Sequence, residues 1–263
     1  MAGEATVSPS ALLRVEKVSV RFGGIIALNE ISFDVGRGQI CGLIGPNGAG
    51  KTTLFNCLSR LYTPHSGQIQ FEGRPILKLA RHEIARIGIA RTFQNVALFG
   101  AMSVLDNVLV GAHSRGRQGF GAAALRLPAT RREEAQLRER ALQLVAEFGL
   151  GDCANIAAGQ LPFGTQKRVE LARALASEPK LLLLDEPAAG LNHEEVEHLR
   201  GEILGLRDRH GMTILLVEHH MNLVMRVSDQ VVALNFGAKI ADGPPQQVQS
   251  HPEVIRAYLG DAA

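Results

Sequence analysis

The 263-residue chain has no long apolar run, no marked excess of charge of either sign and few cysteines. A membrane-spanning helix needs about 20 apolar residues. The longest candidates stop far short: Leu181 to Leu184 ends at Asp185, and Met212 to Val217 ends at Glu218. The sequence therefore predicts no bilayer crossing. Met1 to Ser10 lacks a basic region followed by an apolar core, so no secretory signal is expected. The 28 basic and 26 acidic residues leave a net charge of +2. Charge thus argues neither for nor against nucleic acid. No basic patch stands out, and no nucleic-acid partner is expected. Cys41, Cys57 and Cys153 are odd in number and lack metal-ligand spacing, which predicts reduced thiols. No repeat of solenoid period is present. What remains is 46% hydrophobic and 21% charged, ordinary for a globular protein. The length suits one large domain, or a domain with a sub-lobe, around a sizeable core.

Short β-rich runs come first. Val15 to Phe22 and Ile25 to Val35 alternate loosely, as half-buried antiparallel strands do. Gln39 to Gly45 reads as a buried strand entering a glycine-rich turn. A helix follows, with Leu54, Leu58 and Leu61 on one face. Ser66 to Gly73 reads as a further β element. Ser103 to Ala112 reads as a helix and Ser114 to Pro128 as a loop. Thr130, with Glu133 three residues later, predicts a capping box opening a helix. Leu137, Ala141, Leu144, Val145 and Phe148 form that helix's buried stripe, and Gly149 ends it. Strand and helix then alternate: Lys180 to Glu186, Glu194 to Arg209, Met212 to Glu218 and Met221 to Val227. That order implies an α/β fold with a parallel sheet covered by helices. Pro245 to Leu259 reads as short helices.

Two constellations carry chemistry. Gly45, Pro46, Asn47, Gly48, Ala49, Gly50, Lys51 and Thr52 fit the phosphate-loop pattern G-x-x-x-x-G-K-[ST] between a strand and a helix. Glycines let the backbone turn successive N–H groups toward one point. The helix N-terminus adds partial positive charge. Lys51 is placed to reach the β- and γ-phosphates of ATP, Thr52 to ligate Mg²⁺, and Thr53 to add a hydroxyl at the α-phosphate. The second constellation is Leu181 to Glu186, a strand ending in two acids, where open α/β sheets hold ligands. Taken alone it is a strand running into a solvated acidic turn. Beside a phosphate loop it becomes a metal-and-base arrangement. Asp185 would hold the Mg²⁺ shell through water, and Glu186 would orient and deprotonate the attacking water. His219, after the next apolar strand, is placed to touch the γ-phosphate. His220 competes with it, because adjacent residues point apart.

In this order, these residues resemble the ABC-type ATPase family, over nearly the whole chain. The resemblance implies a P-loop NTPase with a RecA-like core, an antiparallel β subdomain and a helical subdomain. The core's first part would span 12–94, the signature-bearing helical subdomain 95–178, the core's second part 179–243 and a helical tail 244–263. It implies that Phe22 stacks on adenine, although without it Phe22 reads as core. It implies that Gln94 contacts Mg²⁺ and senses a transmembrane partner, and that His219 is the switch histidine. Ala188-Ala-Gly-Leu-Asn192 matches the D-loop, with Asn where many members have Asp. Arg21-Phe-Gly-Gly24, Arg91-Thr-Phe-Gln-Asn95 and the tail from His251 to Gly260 are most similar to ATPases of branched-chain amino-acid and related amide or urea uptake. Such systems imply a second ATPase subunit, the same chain or a different one. They also imply two permeases, an extracytoplasmic solute-binding protein acting indirectly, and residence on the cytoplasmic face of the cell membrane. Lipopolysaccharide-export ATPases share much of the pattern and remain an alternative, as does a soluble nucleotide-binding scaffold of the same fold.

The signature stretch departs from the family's common Leu-Ser-Gly-Gly-Gln. It reads Leu161-Pro162-Phe163-Gly164-Thr165, then Gln166. In the family the serine hydroxyl and nearby N–H groups grip ATP held by the opposite subunit. Proline offers neither group. A lost charge-assisted hydrogen bond is worth about 1.5–3 kcal/mol. Either this chain serves its partner's ATP weakly, making the two ATP sites unequal, or Pro162 is simply tolerated. Under the first alternative, Pro162→Ser raises ATP turnover of the assembled pair; unchanged turnover supports the second.

Overall fold

The computed structural model describes residues 11–92, 96–113 and 128–259. Gln94 and all of the predicted 114–128 loop except Pro128 lie outside the described residues. Along the chain run β1 (Ala11–Phe22), β2 (Ile25–Gly36), β3 (Ile40–Ile44), α1 (Lys51–Leu58), β4 (Ser66–Phe71), β5 (Arg74–Pro75), α2 (Arg81–Arg86), β6 (Ile89–Arg91) and α3 (Val104–Ala112). Then come α4 (Pro128–Glu147), α5 (Phe163–Leu175), β7 (Leu181–Asp185), α6 (His193–His210), β8 (Thr213–Val217), α7 (Met221–Val227), β9 (Gln230–Asn235), β10 (Ala238–Gly243), α8 (Pro245–Gln249) and α9 (Pro252–Leu259). They form two compact units, one of residues up to 81 with those from 199 onward, the other of residues 82–198. Among the described residues, no helix is long and apolar enough to cross a membrane.

The first unit holds an antiparallel sheet in the order β2-β1-β4-β5. Leu13 pairs with Val35 and Phe71, and Val15 with Phe33 and Ile69, all of them buried. The apolar alternation is loose because the register shifts between Val15 and Val18, where Lys17 takes φ 46°. An extra residue in one strand bends the ladder there. In a second sheet, β3 lies between β9 and β8, parallel to both, and β10 pairs antiparallel with β9. Every residue of β3 and β8 is buried, as expected of parallel strands covered on both faces. Gly42 sits in β3 because α7 presses there: a Cβ would come within 2.5 Å of Val224 Cγ1.

The helix after the phosphate loop is shorter than its leucine spacing predicts. It ends at Leu58, and Leu61 lies beyond it, half-exposed. Arg60 takes φ 59°, and the Leu61 N–H donates back to the Asn56 carbonyl at 2.8 Å. This left-handed turn closes the helix and removes Leu61 from the buried face. Cys41 and Cys57 are free and buried, and burial pushes the Cys57 thiol up to about 11.

In the second unit, β6 and β7 pair in parallel, Ile89 beside Leu181. Helices α3 and α5 touch so closely that a Cβ on Gly111 would lie 2.0 Å from the Arg173 carbonyl oxygen. Ser103 caps α3 by accepting the Asp106 N–H at 3.1 Å. In α4, Ala141, Leu144, Val145 and Phe148 are buried while Leu137 is only half-buried. Helix α4 starts at Pro128, so Thr130 lies inside it and the predicted capping box is not its opening. Proline suits a first helical position, whose N–H has no intrahelical partner in any case.

Candidate functional site

In the first unit the chain leaves β3 and turns through the glycine loop. Gly45, Gly48 and Gly50 have φ of 151°, 80° and 102°. Two of them are fixed by close approach as well as by angle. A Cβ on Gly45 would meet the Leu234 carbonyl oxygen at 2.3 Å, and one on Gly50 the Ala27 oxygen at 2.5 Å. Ala49 bridges the loop, its N–H donating to the Pro46 carbonyl at 3.1 Å and its carbonyl accepting from the Gly237 N–H at 3.1 Å. Lys51 opens α1 with only 5% of its surface exposed. Its ammonium donates to the Gly45 carbonyl at 2.6 Å and the Pro46 carbonyl at 3.0 Å. Thr52 is exposed and Thr53 half-buried. A buried cation ringed by backbone, at a helix start with no acid in its first turn, suits a polyanionic ligand.

Strand β8 runs beside β3 with Val217 opposite Leu43, so Glu218 and His219 leave the sheet at the same edge as the glycine loop. Glu218 is buried, and its carboxylate accepts the N–H groups of His219 at 2.9 Å and His220 at 3.3 Å. Both histidines are exposed. Phe22, at the end of β1, is 46% exposed and meets Tyr62 edge to face at 5.2 Å. It is not a core residue, which disposes of the reading made without the family resemblance.

In the second unit, β7 delivers Asp185, which is buried. Arg91 Nη2 donates to Asp185 Oδ2 at 2.7 Å, with both side chains under a tenth exposed. The buried Thr92 accepts the Asp185 N–H at 3.4 Å. Glu186, the next residue, takes φ 49°. Such a conformation in a residue with a Cβ costs about 1–3 kcal/mol and gathers at functional sites. Asn192 and Glu195 cap α6 reciprocally: the Glu195 N–H donates to Asn192 Oδ1 at 3.0 Å, and the Asn192 N–H to Glu195 Oε2 at 2.9 Å. Pro162 stands at the N-cap of α5 without a side-chain cap bond. The Phe163 ring lies against Gly190, where a Cβ would be 3.0 Å from Cε1, and the Lys167 ammonium sits 5.5 Å from the ring centroid. Gly164 has no room for a side chain while Glu195 stays in place, since a Cβ would meet Glu195 Oε1 at 2.5 Å. The Thr165 hydroxyl accepts from Arg168 Nη2 at 3.3 Å.

The sequence model described as ABC transporter matches residues 28–189. The chain belongs to the ABC transporter family. A second model of this kind, described as the branched-chain amino acid ATP-binding cassette transporter, matches 238–263. The high-affinity branched-chain amino acid transport ATP-binding protein BraF of Pseudomonas aeruginosa is 46% identical over 95% of this chain and 98% of its own length. The corresponding protein LivG of Escherichia coli is 44% identical over the same shares. A crystal structure of the ADP conformation of an ATP-binding cassette of an ABC transporter superimposes with a TM-score of 0.83, at 31% identity, over 95% of this chain and 99% of that one.

For this ABC chain, the sequence reading missed three residues around the predicted ones. Arg91 appeared in it only as part of a resembling stretch, yet it holds Asp185 across 94 positions. Glu218 appeared only as the end of an apolar run, yet it binds the backbone of both candidate histidines. Tyr258 appeared only within the tail, yet its hydroxyl accepts the Gly45 N–H at 2.7 Å. A buried charge left without its partner is strongly destabilising, by about 3–5 kcal/mol. Asp185→Ala is therefore expected to lower the midpoint of thermal unfolding measurably even without nucleotide. An unfolding midpoint equal to that of the wild type would show that the Arg91 pair contributes nothing to stability.

Proposed function

We propose that this chain is the ATP-hydrolysing subunit of an importer for branched-chain amino acids or related small polar solutes, driving separate permeases from the cytoplasmic face. The observation that carries this is the Lys51 ammonium buried in a ring of loop carbonyls at the head of α1. An apolar surrounding would reject that charge, and a polyphosphate gives it a partner better matched than carbonyl dipoles. The choice of cargo rests on the branched-chain match over 238–263 and on the named relatives.

The loop from Gly45 to Thr53 holds the phosphates, and Phe22, exposed beside Tyr62, stacks on adenine. Magnesium, held by the Thr52 hydroxyl and through water by Asp185, would neutralise charge on the phosphates. A hydroxyl, a carboxylate and phosphate oxygens make a donor set suited to that hard cation. Glu186 takes a proton from the attacking water, whose oxygen forms a bond to the γ-phosphorus as the bond to the ADP oxygen breaks. Positioning and electrostatics do most of this work. His219 touches the γ-phosphate, and Gln94 links the nucleotide to the permease. The helical stretch 95–178 presents Pro162 to Thr165 to ATP on a second ATPase subunit. Two permeases and an extracytoplasmic binding protein complete the system.

General-base catalysis is worth about 10²- to 10⁴-fold. Glu186→Gln is thus expected to keep ATP binding, lose turnover by that order and stop uptake of branched-chain amino acids when it replaces the native chain in cells. Wild-type hydrolysis by this variant would remove Glu186 as the base. Undiminished uptake with hydrolysis lost would break the link to transport.

A further inference from the structure

The tail helix α9 touches the phosphate loop at its first residue. Val254 is buried and anchors the helix. Tyr258, four residues on, lies on the same face, and its hydroxyl accepts the Gly45 N–H at 2.7 Å. Beyond that bond the helix stands off. A cavity of about 420 Å³, lined by Pro46, Asn47, Glu253 and Arg256 among others, lies between α9 and the next residues of the loop.

Gly45 is held on three sides. Leu234 blocks it sterically, with its carbonyl oxygen 2.3 Å from where a Cβ would lie. The Gly45 carbonyl accepts the Lys51 ammonium at 2.6 Å, and its N–H is committed to Tyr258. One residue therefore joins the tail to the lysine. A tyrosine phenol is neutral at physiological pH and can accept this bond, and partial burial moves its pKa further up. A neighbouring helix position would point roughly 100° away and could not make the same bond.

We propose that Tyr258 is a positioning residue for nucleotide: its hydroxyl fixes Gly45 and, through the Gly45 carbonyl, the resting seat of Lys51. The proposal rests on the reading that the Gly45 to Thr53 loop binds ATP. Pre-organising a binding loop lowers what the ligand must spend in ordering it, so losing one neutral hydrogen bond should weaken affinity about three- to tenfold.

The test is Tyr258→Phe in the full-length chain, which keeps the ring and removes the hydroxyl. Affinity for MgATP is measured by titration calorimetry, with KM and kcat from ATP turnover and the thermal midpoint without nucleotide. The expected result is a Kd and KM raised about three- to tenfold, with kcat within about twofold, since no group touching the reacting atoms has changed. An unchanged Kd overturns the proposal, whether or not the midpoint falls. Lys51→Ala in the same titration separates the two failures. If it loses ATP while Tyr258→Phe binds normally, only the role of Tyr258 is wrong. If it binds ATP as well as the wild type, the loop itself has been misread and the proposal falls with it.

Discussion

A lysine ammonium with 5% of its surface exposed has to be satisfied by something other than water. In this chain the carbonyls of Gly45 and Pro46 satisfy it, and most of the first unit's local detail follows. For both carbonyls to face the ammonium, the chain must reverse sharply after β3, and three glycines at positive φ make the turn. For the turn to stay put, it must be wedged, and the Leu234 and Ala27 carbonyls wedge it. For those carbonyls to be there, β9 must run beside β3 and the start of β2 must pass the loop. The buried parallel strands supply the rigid frame on which this depends.

The second unit solves a related problem with opposite charge. Asp185 is buried at the end of an all-leucine strand, and Arg91 at the end of the neighbouring strand neutralises it. A buried ion pair gains little net stability over apolar packing, so its value lies in fixing where the carboxylate sits. The left-handed backbone of Glu186, next in the chain, is a further local cost. Strain of this sort is kept where geometry matters more than stability. The reciprocal Asn192–Glu195 cap and the packing of Phe163 on Gly190 show how the D-loop asparagine and the signature-stretch aromatic are accommodated locally.

Much of this was legible because some chemistry is local. The phosphate loop is a spacing of residues within one turn, and the two acids follow directly on their strand. Buried strands β3, β7 and β8 are apolar runs bounded by polar residues. Other features were not legible, for physical reasons. The β9–β10 hairpin turns at Phe236 and Gly237, both at positive φ, a two-residue turn normally announced by Asn-Gly, and phenylalanine gives no such announcement. The Thr130 capping box was outcompeted by a helix beginning at Pro128. Leu61 has the right spacing for α1 but follows a left-handed Arg60 that ends the helix early. The Arg91–Asp185 pair and the Tyr258–Gly45 bond span 94 and 213 positions, and no local pattern encodes a partner at that distance.

The central claim, that this chain powers a membrane transporter, is tested most directly by what it holds in its native cell. The chain would be tagged there, the membranes extracted in mild detergent, and the retained proteins identified. Recovery of two permeases with a second ATPase subunit, and of an extracytoplasmic binding protein whose ligand is a branched-chain amino acid, is the predicted result. Recovery of this chain alone, from the soluble fraction, would contradict it.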